Sequence, residues 1–107
     1  MWEKWLAAHE GEKDYGNKTK LELHKEICAK LLETYRKKNE AYGDSFGKTY
    51  RELGIISAVT RMEDKMNRIA SLATGAKNEV ADESIRDTLA DLANYAIMTL
   101  IEMENDK

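Results

Sequence analysis

Apolar residues recur every three or four positions along most of the chain, and no proline interrupts them. Between Ile55 and Ile69 the steps are four, three, four and three residues, the spacing that keeps apolar side chains on one face of a helix. Similar patterns run from about Leu21 to Asn39 and from Asp82 or Ser84 to about Glu104. No segment alternates apolar and polar residues for long, which argues against strands. The sequence therefore predicts an all-α helical bundle with three main helices.

Breaks in the pattern predict how these helices are connected. Residues 1–18 read as an N-terminal extension with a short helix of its own, and the glycines of 43–47 indicate a turn. Gly75 is a plausible end for the second helix, followed by a loop over 76–82. We expect a single domain over 1–107 with its helical core in 20–104. Three helices would shield such a core incompletely, so we also expect a homodimer or homotetramer.

Charge and composition exclude several classes of function. Seventeen basic and twenty acidic residues give a formal charge of −3, which does not favour binding to duplex nucleic acid or anionic membranes. No apolar run is long enough for a membrane span, and the single cysteine cannot form an internal disulfide, so we expect a cytoplasmic protein. Cys28 follows Ile27 on the apolar face of the first helix, which predicts a buried structural thiol.

Three carboxylates follow one another at four-residue steps on the third helix. Glu83, Asp87 and Asp91, here called the acidic stripe, share one side of that helix with Asn94. The opposite side is wholly apolar, which predicts that it forms the core; its residues are Ile85, Leu89, Leu92, Ala93, Ala96 and Leu100.

The acidic stripe has two interpretations. A solvated acidic surface is the simpler one, and it explains Glu83, because acidic residues are favoured in the first turn of a helix. It explains Asp87 and Asp91 poorly, since no lysine or arginine stands three or four positions from either of them. The alternative is a site for Mg²⁺ or Mn²⁺, hard ions that prefer oxygen ligands and often bridge to phosphates.

The second helix carries a complementary charged stripe of Arg61, Asp64, Lys65 and Arg68. Ordinary surface ion pairs would explain it, because Asp64 has Arg61 three residues before it and Arg68 four after it. If this helix faces the acidic stripe, Asp64 could instead complete a metal cluster while the three cations bind phosphate.

Several short segments follow one another in a characteristic order. They are Lys38-Asn39, Tyr42-Gly43-Asp44-Ser45-Phe46, Arg61, Asp64-Lys65, Asn67-Arg68, Asp82-Glu83-Ser84, Asp87-Thr88-Leu89 and Asp91-Leu92-Ala93-Asn94-Tyr95. In this order they resemble the nucleotide modification associated domain 1 family, which is common in phages and bacteria, and the resemblance covers about residues 24–103. More distantly, the chain looks like the all-α nucleoside triphosphate pyrophosphohydrolases of the MazG group, which use helix-borne carboxylates and Mg²⁺ to cut between the α and β phosphates.

This resemblance implies a Mg²⁺-dependent nucleotide pyrophosphohydrolase, with Mn²⁺ as the other suitable ion. Alternatives are a module that binds a nucleotide or nucleotide signal without hydrolysing it, and a helical assembly protein. Packing across the turn and stacking on a base are equally good explanations of Tyr42 and Phe46. The expected metal ligands are Asp64, Glu83, Asp87 and Asp91, of which Asp64, Asp87 and Asp91 would also serve catalysis. The expected substrate-binding residues are Lys38, Asn39, Tyr42, Asp44, Arg61, Lys65, Arg68 and Asn94.

Overall fold

The structure, a computed structural model, describes residues 16–75 and 79–105, and of residues 79–82 only the helical backbone. This part of the chain is helical and contains no strand. Its helices are α1 (Lys20–Tyr42), α2 (Ser45–Leu53), α3 (Ile55–Thr74) and α4 (Glu79–Asn105). The all-α prediction is confirmed. The predicted helix of the N-terminal extension lies outside the described residues.

The chain forms two compact units, Met1–Arg36 and Lys37–Lys107. In the first, the Thr19 hydroxyl accepts a hydrogen bond from the Glu22 amide and so caps the start of α1. Leu31 is buried, whereas Cys28 is exposed and its Sγ lies 3.5 Å from His24 Nδ1. The prediction of a buried thiol is therefore wrong, because the side of α1 that carries Cys28 faces solvent.

The second unit holds the last turns of α1 and the other three helices. Gly43 ends α1 with φ 69°, and its amide donates to the Asn39 carbonyl at 2.8 Å. Gly54 separates α2 from α3 with φ 77°. Both glycines are in the left-handed region, where a side chain would be strained.

Helix α2 lies where the sequence predicted a turn. Asp44 starts this helix by accepting a hydrogen bond from the Gly47 amide at 3.3 Å, while Phe46 and Tyr50 bury their rings one turn apart. The turn prediction holds for Gly43 and is wrong for Gly47, which is a buried helical residue. Helix α4 also begins earlier than predicted, at Glu79, so residues 79–82 are helical.

Helices α3 and α4 form an antiparallel hairpin whose contacts define the core of this unit. Arg68, near the end of α3, reaches Thr88 near the start of α4, and Lys65, one turn earlier, reaches Asp91 one turn later. Phe46, Tyr50 and Ala58 form the buried cluster, with Met62, Tyr95 and Met98 packed against it.

The side of α4 that packs inward is not the wholly apolar one. Leu89 and Leu100, predicted as core, are 49% and 62% exposed. The helix instead turns a mixed row inward, here called the contact stripe, whose spacing alternates between three and four residues. It consists of Thr88, Asp91, Tyr95, Met98 and Glu102.

Candidate functional site

Two lysines from different helices converge on Asp91. Lys38 Nζ, in the last turns of α1, lies 3.1 Å from Asp91 Oδ1, and Lys65 Nζ, from the middle of α3, lies 3.5 Å from Oδ2. The Asp91 and Lys65 side chains are 32% and 29% exposed, so the group opens to solvent on one side. Two ammonium groups on one carboxylate leave a net positive charge at a partly covered position, which favours an anion.

Arg68 continues this row of cations along α3. Its Nε donates to the Thr88 hydroxyl at 3.3 Å, and that hydroxyl donates to the Ser84 carbonyl at 2.7 Å. Thr88 is buried, so both hydrogen bonds satisfy a polar group that would otherwise be costly to desolvate. The Arg68 guanidinium is held at one end and has further N–H groups to donate.

Arg61, one turn before Lys65, packs against an aromatic pair. Its guanidinium carbon lies 5.6 Å from the centre of the Phe46 ring, and that ring stacks on Tyr95 with centroids 5.8 Å apart. A cation over an aromatic face is attracted by the ring quadrupole. The aromatic pair therefore positions the Arg61 guanidinium. The buried ring of Phe46 packs between the helices rather than contacting a ligand.

Arg51 links the start of α2 to α4 through two carboxylates. Its Nη1 lies 3.5 Å from Asp44 Oδ2 and 3.4 Å from Glu102 Oε1. The Glu102 side chain is only 8% exposed, so this carboxylate is held inside the unit with one cationic partner. Asp44 thus caps α2 and pairs with Arg51, and its part in binding a substrate stays a prediction.

The remaining predicted carboxylates take no part in these ion pairs. Asp64, Glu83 and Asp87 are exposed and make no ion pair with the described residues. The expected local pairs of Asp64 are absent there because Arg61 turns to Phe46 and Arg68 to Thr88. Nor do any three acidic, histidine or cysteine side chains within residues 16–75 and 83–105 form a group suited to a metal ion.

Oxygen ligands would suit Mg²⁺ or Mn²⁺ chemically, and the described side chains of one chain do not bring three of them together. Asp91 is the most buried of the four expected metal ligands, and it pairs with two ammonium groups instead of facing other carboxylates. The described residues of one chain therefore do not assemble the expected metal centre.

The other predicted binding residues lie near the end of α1 or on the inner half of α4. Tyr42 is 75% exposed and stands one turn after Lys38. Asn39 is exposed and uses its carbonyl to end α1, and Asn94 is half-buried.

Sequence reasoning found the cations but missed the interactions that position them. Thr88, Tyr95 and Glu102 were not among the predicted site residues. A signal was present: together with Asp91 and Met98 they follow steps of three and four residues, the spacing of one helix face. Their polar members hid that face from a search for apolar periodicity.

These elements define an all-α helical unit whose α3–α4 hairpin carries a row of cations next to buried polar and aromatic groups. The family model for nucleotide modification associated domain 1 matches residues 38–103, more than half of the chain, and the protein belongs to this family. No curated protein and no solved structure matched the chain. Among the described residues, no helix is long and apolar enough to cross a membrane.

Proposed function

We propose that this protein binds a nucleotide, with the phosphates held by a cationic cluster of Lys38, Arg61, Lys65 and Arg68. The observation that carries the proposal is the convergence of Lys38 and Lys65 on Asp91. An ammonium group has three donors, and one contact to Asp91 leaves others for phosphate oxygens. The family name supports a role connected with nucleotides.

The arrangement around Lys65 suits a chain of phosphates rather than a single carboxylate. Arg61 lies one turn before Lys65 and Arg68 one turn after it, so the three cations follow the same side of α3 over two turns. Each arginine is positioned by a neighbour, Phe46 or Thr88, which lowers the entropy lost on binding. Successive phosphates of a nucleotide would meet successive cations.

Tyr42 is the aromatic surface we assign to the base. It is exposed, and it follows Lys38 by four residues, so the two side chains lie on the same face of α1. Stacking on an aromatic ring is tolerant of base identity and contributes about 1–3 kcal/mol per base in nucleic-acid complexes. A phosphate at Lys38 would place the rest of the nucleotide towards this ring.

Hydrolysis between the α and β phosphates is the second candidate. The observation that favours it is the solvent exposure of Asp64 and Asp87 without an ion pair among the described residues. Charged groups left open beside a phosphate site would be available for Mg²⁺ or Mn²⁺ brought by the nucleotide. Binding has the stronger support, because the cations are already assembled and three carboxylates are not.

A panel of nucleoside mono-, di- and triphosphates tests both candidates in one series. Calorimetry without metal should detect binding that tightens with the number of phosphates. Lys38→Gln and Lys65→Gln should each weaken it roughly tenfold or more, since a hydrogen bond to a charged group contributes about 1.5–3 kcal/mol. The matched control is Lys48→Gln, which removes an exposed lysine of α2 and should leave the affinity unchanged.

Adding Mg²⁺ to the same panel and measuring pyrophosphate release separates the binder from the enzyme. Turnover that Asp87→Asn abolishes, with binding retained, would establish hydrolysis. Saturable binding without turnover supports the binding module. If no nucleotide binds with or without Mg²⁺, or if Lys48→Gln weakens binding as much as Lys65→Gln, the proposal is wrong.

A further inference from the structure

One side of the α3–α4 hairpin is apolar and open to solvent. On α3 it comprises Ile55, Val59 and Met66, and on α4 Leu89, Ala96, Leu100 and Met103; these residues are called the apolar face. All of them are exposed. Met66 and Leu100 have 53% and 62% of their surface in water, values unusual for large side chains that keep the spacing of a core.

Helix geometry places these residues on the same side of the hairpin. The line of α3 that faces α4 passes through Ala58, Met62 and Lys65, and the line of α4 that faces α3 passes through Thr88, Asp91 and Tyr95. With about 100° per residue, Ile55, Val59 and Met66 lie roughly 50–95° beyond the first line. The four residues of α4 lie roughly 85–150° beyond the second line. Residue numbers run around two antiparallel helices in opposite senses, so positive offsets on both helices point to one common side.

The charged groups fall on the other side of the same hairpin. By the same reckoning Arg61 and Arg68 lie roughly 65–90° before the contact line of α3, and Asp87 lies on the corresponding side of α4. Phe46 of α2 packs there, against Arg61 and Tyr95. Helix α2 therefore packs on that side, next to Arg61, and leaves the apolar face uncovered.

We infer that a second copy of this chain covers the apolar face, so that two α3–α4 hairpins form a four-helix bundle. Six half-exposed large side chains present on the order of 500 Å², at the upper end of what single soluble chains expose, 300–600 Å². Such packing would also cover the surface that borders these side chains. The total buried area then approaches the ~800 Å² per partner of a stable interface. The inference does not depend on nucleotide binding.

The chemistry of the face favours a copy of itself over other partners. None of its seven residues is charged, so two copies related by a twofold axis meet without burying an unpaired charge. A lipid surface fits less well, because membrane-bound helices carry lysine and arginine along their borders, whereas Glu63 borders this face and the chain has a net charge of −3. Two antiparallel helices per copy supply the four that a bundle needs.

Light scattering coupled to gel filtration tests the inference on the full chain. Across a roughly hundredfold range of protein concentration we expect twice the mass of one chain, with dissociation only at the dilute end. Leu100→Glu places a charge in the centre of the face and should give a single-chain mass with an unchanged helical circular dichroism spectrum. Ile101→Glu is the matched control, because Ile101 is also exposed but lies on the side of the acidic stripe, and it should keep the double mass.

Three results would overturn the inference. The first is a single-chain mass for the unaltered protein over the whole range, which would assign the apolar face to another segment of the chain or to a different partner. The second is the same double mass for Leu100→Glu as for Ile101→Glu. If Leu100→Glu fails to fold, Met66→Glu on the other helix replaces it as the test variant. The third result is then a folded Met66→Glu protein that keeps the double mass.

Discussion

Among the described residues, Glu102 is the carboxylate that is buried. Its side chain is 8% exposed and its ion pair is with Arg51, which is itself 57% exposed. A carboxylate removed from water needs a compensating cation or donor, so losing the partner costs more than the pair contributes. The stability of α2 against α4 therefore depends on Arg51.

Arg51→Met should lower the free energy of unfolding by about 1–2 kcal/mol, less than for a fully buried pair because water still reaches the arginine. Urea denaturation at fixed protein concentration measures this change. Combining Arg51→Met with Glu102→Gln should cost less than the sum of the two single changes, because the double variant leaves no unpaired charge. Lys48→Met, on the same helix, is the control and should stay within about 0.5 kcal/mol of the unaltered protein. Additive effects would contradict the proposed pairing.

Gly47 provides a second test at the residue scale, in which the sign of the change in stability on replacement by alanine decides the outcome. Replacing a helical glycine with alanine normally stabilises a helix by roughly 0.5–1 kcal/mol. Here an added Cβ would come within 2.5 Å of Asp44 Oδ2. That carboxylate caps α2, so it would have to give up the hydrogen bond to the Gly47 amide.

We expect Gly47→Ala to destabilise the protein by about 1 kcal/mol, the usual cost of a lost N-cap. Thermal denaturation at fixed protein concentration should show a lower midpoint. In an Asp44→Ala background the same change should be neutral or stabilising, because the clash and the cap are both gone. A higher midpoint for Gly47→Ala alone would show that the cap tolerates the methyl group.

At the scale of the elements, the close approach of α3 and its neighbours depends on one small residue. Ala58 is completely buried and packs with Phe46 and Tyr50 from α2. A larger side chain would force the helices apart or push these rings out of their positions.

Ala58→Leu should therefore cost about 1–3 kcal/mol, the range for overpacked cores. Ala70→Leu, at an exposed position of the same helix, is the control and should change stability by less than about 0.5 kcal/mol. Urea midpoints measured at one protein concentration make the comparison. Equal effects of the two variants would mean that helix propensity, and not packing at Ala58, determines the result.

The helices could be predicted from the sequence more accurately than the faces they bury. Spacing and glycines located α3 and its end at Gly75, because both signals are local. Helix α2 was not predicted, because a glycine at position 47 is typical of a turn. In the structure this glycine is helical, and its missing side chain leaves room for the Asp44 carboxylate. The side of α4 that packs inward could not be predicted. A sequence shows that a helix has an apolar face, but it does not show whether that face packs against the same chain or against another molecule.

The same limit applies to the candidate site. Local spacing showed correctly that Asp91 has no basic partner within four residues, but its partners come from α1 and α3, 53 and 26 positions away. Long-range ion pairs of this kind depend on how helices pack, and a single sequence contains no direct signal for them. The absence of a local partner for Asp91 thus reflected a tertiary contact.

At the scale of the whole molecule, the two faces of the α3–α4 hairpin separate two properties of the protein. One side carries the cationic cluster, with α2 packed next to Arg61, and the other side is the apolar face. The buried cluster of Phe46, Tyr50 and Ala58 is small for a unit of this length. Association should therefore supply much of the stability, and the melting temperature should rise with protein concentration.

This separation predicts that assembly and nucleotide binding can be removed independently. Leu100→Glu should yield single chains whose melting temperature is lower, yet a saturating nucleoside triphosphate should still raise it, because Lys38, Lys65 and Asp91 are not part of the apolar face. Lys65→Gln should keep the double mass and lose most of the nucleotide-induced rise. Light scattering and thermal shift are measured on both variants, with Ile101→Glu and Lys48→Gln as matched controls. Loss of the nucleotide effect in folded Leu100→Glu chains would mean that the second copy contributes to the site, and a single-chain mass for Lys65→Gln would mean that the cationic cluster contributes to the interface.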